Sequence, residues 1–209
     1  MKSAVLLNLL ALLATFWLAA PAQAAERTVL LYGDSLLAGL GLDAAEGFEA
    51  QLQTALDAAG LDVRLVNASV SGDTTANGRE RLDWTLGEPP DAVILGLGAN
   101  DMLRALPPET AEANLDAMLT SLQTADLPVL LLGMLADRGL GADYVQAFDG
   151  LYPRLAARHD ALLYPFYLQA IGLDPQFYQA DGKHPNAEGV RRIVADLLPM
   201  VKALVAQLD

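Results

Sequence analysis

The chain has no cysteine. A disulfide framework, a thiolate metal site and a cysteine nucleophile are therefore excluded, and stability has to come from a packed core. Positive charge is also sparse: 13 Lys and Arg stand against 26 Asp and Glu, for a formal net charge of −13. That sign is wrong for neutralising nucleic-acid phosphates or holding an anionic lipid surface, so neither is an expected partner. Histidine is scarcer still, with two in 209 residues. Because H-E-x-x-H is also missing, only a carboxylate-rich metal site would remain, and no metal is expected. Neither a P-loop nor a complete G-x-G-x-x-G follows the first predicted strand, and the G-x-S-x-G elbow of α/β-hydrolases is absent.

What is present begins with an apolar leader. Lys2 precedes an apolar run from Ala4 to Ala20, and Ala22-Gln23-Ala24 supplies the small residues of a cleavage site. Residues 1–24 read as a secretory signal. An uncleaved anchor is the alternative, since the run approaches the ~20 residues of a spanning helix, but Pro21 and the small-residue site favour processing. No second stretch is long enough to span. The mature chain, residues 25–209, is expected to be a single soluble domain and a monomer, periplasmic or secreted, with no stable membrane insertion. Its share of the 53% hydrophobic content is ample for a core.

Short β-branched or Leu-rich runs then alternate with segments of helical period. Strands are predicted at residues 28–32, 63–67, 92–97, 129–133 and 161–164, and helices at 48–59, 74–85, 109–124, 144–158 and 186–207. The alternation predicts right-handed βαβ crossovers, hence an α/β fold with a parallel sheet and helices on both faces. Runs such as VILGL and VLLLG suit strands covered on both sides.

Ligands of open parallel sheets bind beyond the carboxyl ends of the strands, and three polar loops fall there. They are Gly33-Asp34-Ser35, Asn67 to Asp73, and Gly98 to Asp101. A serine hydroxyl needs a base before it is a useful nucleophile. His159 ends a predicted helix, where its ordinary role is that of a cation favoured by the dipole. His184 lies in Asp181-Gly182-Lys183-His184-Pro185-Asn186, a polar turn before the last helix. Three residues is a separation that lets a tight turn bring the Asp181 carboxylate to Nδ1, leaving Nε2 for Ser35. On its own, the same pattern also fits a helix cap with an incidental histidine. Asn100 and Gly72 offer donors for a developing oxyanion, although both are also common turn residues. Asp34 is expected to organise the strand-end turn through backbone hydrogen bonds.

Taken in order, GDS, SGDT, GAND and DGKHPN resemble the four signature blocks of the SGNH hydrolases, also called the GDSL family. The likeness runs from about Thr28 to Leu208 and is nearest to small exported bacterial esterases described as thioesterase, arylesterase and lysophospholipase. It implies Ser35 as nucleophile, His184 as base and Asp181 as its partner. The oxyanion donors it implies are the N–H groups of Ser35 and Gly72 with Asn100 Nδ2. It further implies a flavodoxin-like five-stranded sheet of order 2-1-3-4-5, no cofactor, and an acyl ester or thioester as small-molecule substrate. Ala99 replaces a frequent second glycine, and Leu37, where a small residue is common, is expected to narrow the approach to the serine.

Leu103, Leu106, Pro107 and Pro108, with Met134, Leu135 and Leu140, follow the third and fourth strands and are candidates for an apolar acyl pocket. A noncatalytic binding protein on the same fold is the rival reading, opposed by the intact chemical positions. Asn67-Ala68-Ser69 matches a glycosylation sequon that its position beside the site makes accidental.

Overall fold

A computed structural model describes residues 27–208. The predicted signal segment lies outside the described residues. Five strands form one parallel sheet: β1 (Arg27–Gly33), β2 (Val63–Asn67), β3 (Ala92–Gly96), β4 (Val129–Leu132) and β5 (Leu162–Tyr164). Their spatial order is β2-β1-β3-β4-β5, the order the resemblance implies. The chain reverses direction across the sheet after β2, so right-handed crossovers send successive helices to opposite faces. Helix α2 (Phe48–Ala58), between β1 and β2, packs with the final helix α7 (Ala187–Val205). The other face carries α3 (Thr75–Thr85), α5 (Pro108–Thr124) and α6 (Ala142–His159), packed in series. Two short helices follow strand ends directly: α1 (Ser35–Ala38) after β1 and α4 (Ala99–Leu103) after β3. No periodicity could reveal them, because one turn is too short to repeat.

The doubly covered runs behave as their composition demands. Val93, Ile94, Leu95, Leu130 and Leu131 are fully buried, each such side chain worth roughly 1.5–3 kcal/mol of apolar transfer. In the edge strand β2, exposed Arg64 alternates with buried Val63 and Leu65. In α7 the apolar positions Val190, Ile193, Val194, Leu197, Val201 and Leu204 make one stripe, buried against the core. Pro153 in α6 and Pro199 in α7 face solvent, and both helices continue through them. No helix among the described residues is long and apolar enough to cross a membrane.

Because β1 neighbours both β2 and β3, chain connections diverge on either side of it. A crevice opens beyond the carboxyl ends of strands at such a switch point. Ser35 emerges from β1 and Asn100 from β3, so the two flank the crevice.

Gly98 sets the turn that aims Asn100. Its φ of 117° is open only to glycine, and a Cβ there would collide with the Tyr152 hydroxyl, which donates to the Leu97 carbonyl at 3.0 Å. Gly98→Ala should lose about 2 kcal/mol or more in a urea melt, since forced positive φ alone costs roughly 1–3 kcal/mol. Adding Tyr152→Phe should relieve the collision and leave the backbone part. An unchanged midpoint for Gly98→Ala would contradict this account.

Candidate active site

Ser35 is the first residue of α1, and Asp34 is its cap: Asp34 Oδ1 accepts from Leu36 N at 3.0 Å. The cap stops the strand and turns the chain sharply, so the hydroxyl sits at the mouth of the crevice with 8% of the residue exposed. Gly39, left-handed at φ 74°, ends the helix after one turn.

The partner arrives from the far end of the chain. Ser35 Oγ lies 2.9 Å from His184 Nε2, and His184 Nδ1 lies 2.5 Å from Asp181 Oδ2. A carboxylate only accepts, so Nδ1 carries the ring hydrogen and Nε2 is left to accept from the hydroxyl. Asp181 Oδ1 meanwhile accepts from the N–H groups of Lys183 and His184, at 2.9 and 3.0 Å. The hydrogen bond from His184, then these two, hold the Asp181 carboxyl well below the usual carboxylate range.

The turn is pinned at its base. Gln179 N donates to the His184 carbonyl and Asn186 N to the Phe177 carbonyl, both at 2.8 Å. Gln179 Nε2 then reaches the Leu40 carbonyl at 2.8 Å and that of Pro185 at 3.0 Å, tying the histidine turn to the segment after α1. Asn186 caps α7 by accepting from Gly189 N. Nothing in the sequence marks Gln179, whose tie to Leu40 spans 139 residues.

Asn100 Nδ2 points into the same region, donating to the Asp73 carbonyl at 2.9 Å and to Asp34 Oδ2 at 3.2 Å. Gly72 adopts φ 90°, and a Cβ there would meet nothing within 4 Å. The glycine therefore serves the backbone conformation. No acceptor among the described residues takes its N–H. Next to Asn100, Asp101 is buried and accepts from Thr75 N at 2.8 Å and Thr75 Oγ1 at 2.7 Å. This clasp fixes α4 against the start of α3, a role that the Gly98-Ala99-Asn100-Asp101 block could have suggested. Burial pushes the Asp34 carboxyl up to about 6, against an ordinary 3.8.

His159 sits at the opposite edge of the sheet, where Nε2 meets Asp116 Oδ1 at 2.8 Å. Leu37 does not narrow the approach to Ser35. It is 2% exposed and packs inward beside Gly33 and Gly96, because a one-turn helix turns consecutive side chains well apart. Of the pocket candidates, buried Met134 borders a small crevice with Asp34, Leu36, Leu97 and Tyr167, and the inward-packed Leu37 lines it as well. Leu106, Leu135 and Leu140 are half-buried, Leu103 and Pro107 are exposed, and Pro108 is buried at the start of α5. The Asn67 amide of the sequon donates to the Leu37 carbonyl at 3.0 Å.

The GDSL-like lipase/acylhydrolase family matches residues 31–192. Esterase TesA of Pseudomonas aeruginosa is 40% identical over 184 residues, 88% of this chain and 92% of TesA. Thioesterase 1/protease 1/lysophospholipase L1 of Escherichia coli is 37% identical over 166 residues, 79% of this chain and 78% of the relative. Among solved structures, AlinE4, an SGNH-hydrolase family esterase, superposes with a TM-score of 0.74 at 44% identity, covering 87% of this chain and 98% of AlinE4. Sheet order, sequence blocks and these likenesses agree: the chain belongs to the GDSL-like lipase/acylhydrolase family and is a serine hydrolase.

Proposed function

We propose that the chain hydrolyses carboxylic esters or thioesters through an acyl-enzyme on Ser35. The observation that carries the reading is the 2.9 Å approach of Ser35 Oγ to a His184 whose other nitrogen is engaged by Asp181. Ser35 Oγ attacks the carbonyl carbon as its proton passes to His184 Nε2. Asp181 stabilises the imidazolium so formed. The negative oxygen receives hydrogen bonds from Ser35 N, Gly72 N and Asn100 Nδ2, each such donor worth about 3 kcal/mol of barrier. For that, the Asn100 amide gives up its longer contact, the one to Asp34. Collapse breaks the carbon–oxygen or carbon–sulfur bond, and His184 returns the proton to the leaving alcohol or thiol. Water then repeats the sequence on the acyl-enzyme.

Aryl esters, acyl thioesters and lysophospholipids are the substrate classes proposed, in keeping with the names of the relatives. The apolar residues near the crevice, Met134 foremost, suit an acyl chain or aryl ring. With residues 1–24 acting as an export signal, the enzyme works as a single domain in the periplasm or outside the cell.

Kinetics on p-nitrophenyl esters from acetate to palmitate test the reading. Wild type should hydrolyse them, and Ser35→Ala or His184→Ala should lose roughly 10⁴-fold or more in kcat. Full activity in either variant would contradict it, and no preference beyond acetate would remove the acyl pocket.

Asp34 serves in this scheme as a turn-forming carboxylate, and its burial makes a separate prediction. A folded value near 6 against 3.8 means that the folded state holds this proton more tightly. The resulting stability is complete below about pH 3.8 and is lost as pH rises through about 6, with a magnitude of about 3 kcal/mol. Relative to wild type, Asp34→Asn should therefore gain stability in urea melts between pH 4 and 7. A difference that stays flat or runs the other way would contradict the assignment.

A further inference from the structure

Arg81 lies on α3, takes no part in the steps above, and is aimed inward with 21% of its side chain exposed. Its Nε donates to Asp73 Oδ2 at 2.6 Å, Nη1 to the Ala68 carbonyl at 2.6 Å, and Nη2 to the Gly33 carbonyl at 3.2 Å. The guanidinium carbon stands 4.0 Å from the centre of the Tyr32 ring, which closes its remaining face. The acceptors belong to two pieces of the site, the end of β1 and the loop between β2 and α3. Gly33 ends β1 two residues before Ser35, Ala68 opens the loop that leads from β2 to Gly72, and Asp73 follows Gly72 directly. Asp73 in turn accepts Asn100 Nδ2 on its carbonyl, while the Gly33 carbonyl also accepts from Val70 N at 3.0 Å.

We propose that Arg81 is a positioning residue that sets the spacing of the three oxyanion donors: its planar cation holds the segments of Ser35 and Gly72 directly, and that of Asn100 through the Asp73 carbonyl. The inference rests on the ester-hydrolase reading. A guanidinium suits the task because its donors form a rigid fork, whereas a lysine ammonium is a point charge on a flexible stem. Arg81 touches neither His184 nor Asp181, so the base remains intact when it is replaced. What changes is the fit to an oxygen that is negative only in the transition state. Such a loss falls on kcat and spares KM. An ordinary stabilising ion pair would instead lower the melting temperature and leave the kinetics of the folded enzyme alone.

Arg81→Lys keeps charge and bulk and is the first variant; Asp73→Asn, which keeps shape but removes the charge ordering the guanidinium, is the second. Both are assayed on p-nitrophenyl acetate beside a thermal melt of the same sample. At a temperature where the protein is folded, kcat should fall about 10- to 100-fold, the scale of a misplacement near 1 Å, with KM within about twofold of wild type. If either variant, folded, keeps kcat within about twofold, or shows a raised KM with kcat intact, the inference fails while the reading of Ser35 stands. A wild type that hydrolyses no ester, or a Ser35→Ala that still does, defeats both.

Discussion

The contact between Ser35 and His184 joins residues 149 positions apart, and the rest of the architecture exists at a geometry that keeps it closed. One end is fixed by β1, which is hydrogen-bonded on both sides and buried at the sheet's switch point. The other is fixed by α7, whose apolar stripe packs against the core, and by the antiparallel bridge between Tyr178 and Pro185 at the base of the turn. Gln179 spans the gap from one to the other. The histidine is thus carried by a loop, but the loop hangs from two rigid elements. Side chains placed in this way keep their distance without a disulfide.

Carboxylates at this edge of the sheet are sorted by their surroundings. Asp181 is half-exposed and surrounded by donors, so it stays ionised beside His184. Asp34, next to Ser35 in sequence, is buried and accepts from Leu36 and Asn100, and its carboxyl is pushed upward. Asp101 and Asp73 are spent on Thr75 and Arg81, the first holding α4 to α3 and the second joining that clasp to β1. Chemically identical groups acquire different tasks from burial and donor count.

Much of this was legible in the residues. The runs at 92–97 and 129–133 and the stripe of the final helix report burial directly, since periodicity is a record of which side faces the core. Ser35, Asp181 and His184 stood out because few residue types can do their chemistry and the polar blocks follow strand ends. Arg81 and Gln179 carry no local pattern, for each joins the site through a distant carbonyl, that of Gly33 48 positions from Arg81 and that of Leu40 139 positions from Gln179. Leu37 departs from its sequence expectation for the opposite reason. Its neighbours in sequence suggested the mouth of the site, but the single turn of α1 rotates it into the core. Leu103 and Leu140 end single short helical turns and Leu106 lies in a loop, so no periodicity reports their direction, and hydropathy alone does not say which would meet a substrate.

Intact-mass analysis after exposure to a serine-directed p-nitrophenyl phosphonate tests the central claim most directly. The account predicts a single covalent adduct that maps to Ser35, forms slowly in His184→Ala and is absent from Ser35→Ala. A wild-type protein that remains unmodified, or an adduct that persists when Ser35 is replaced, would contradict it.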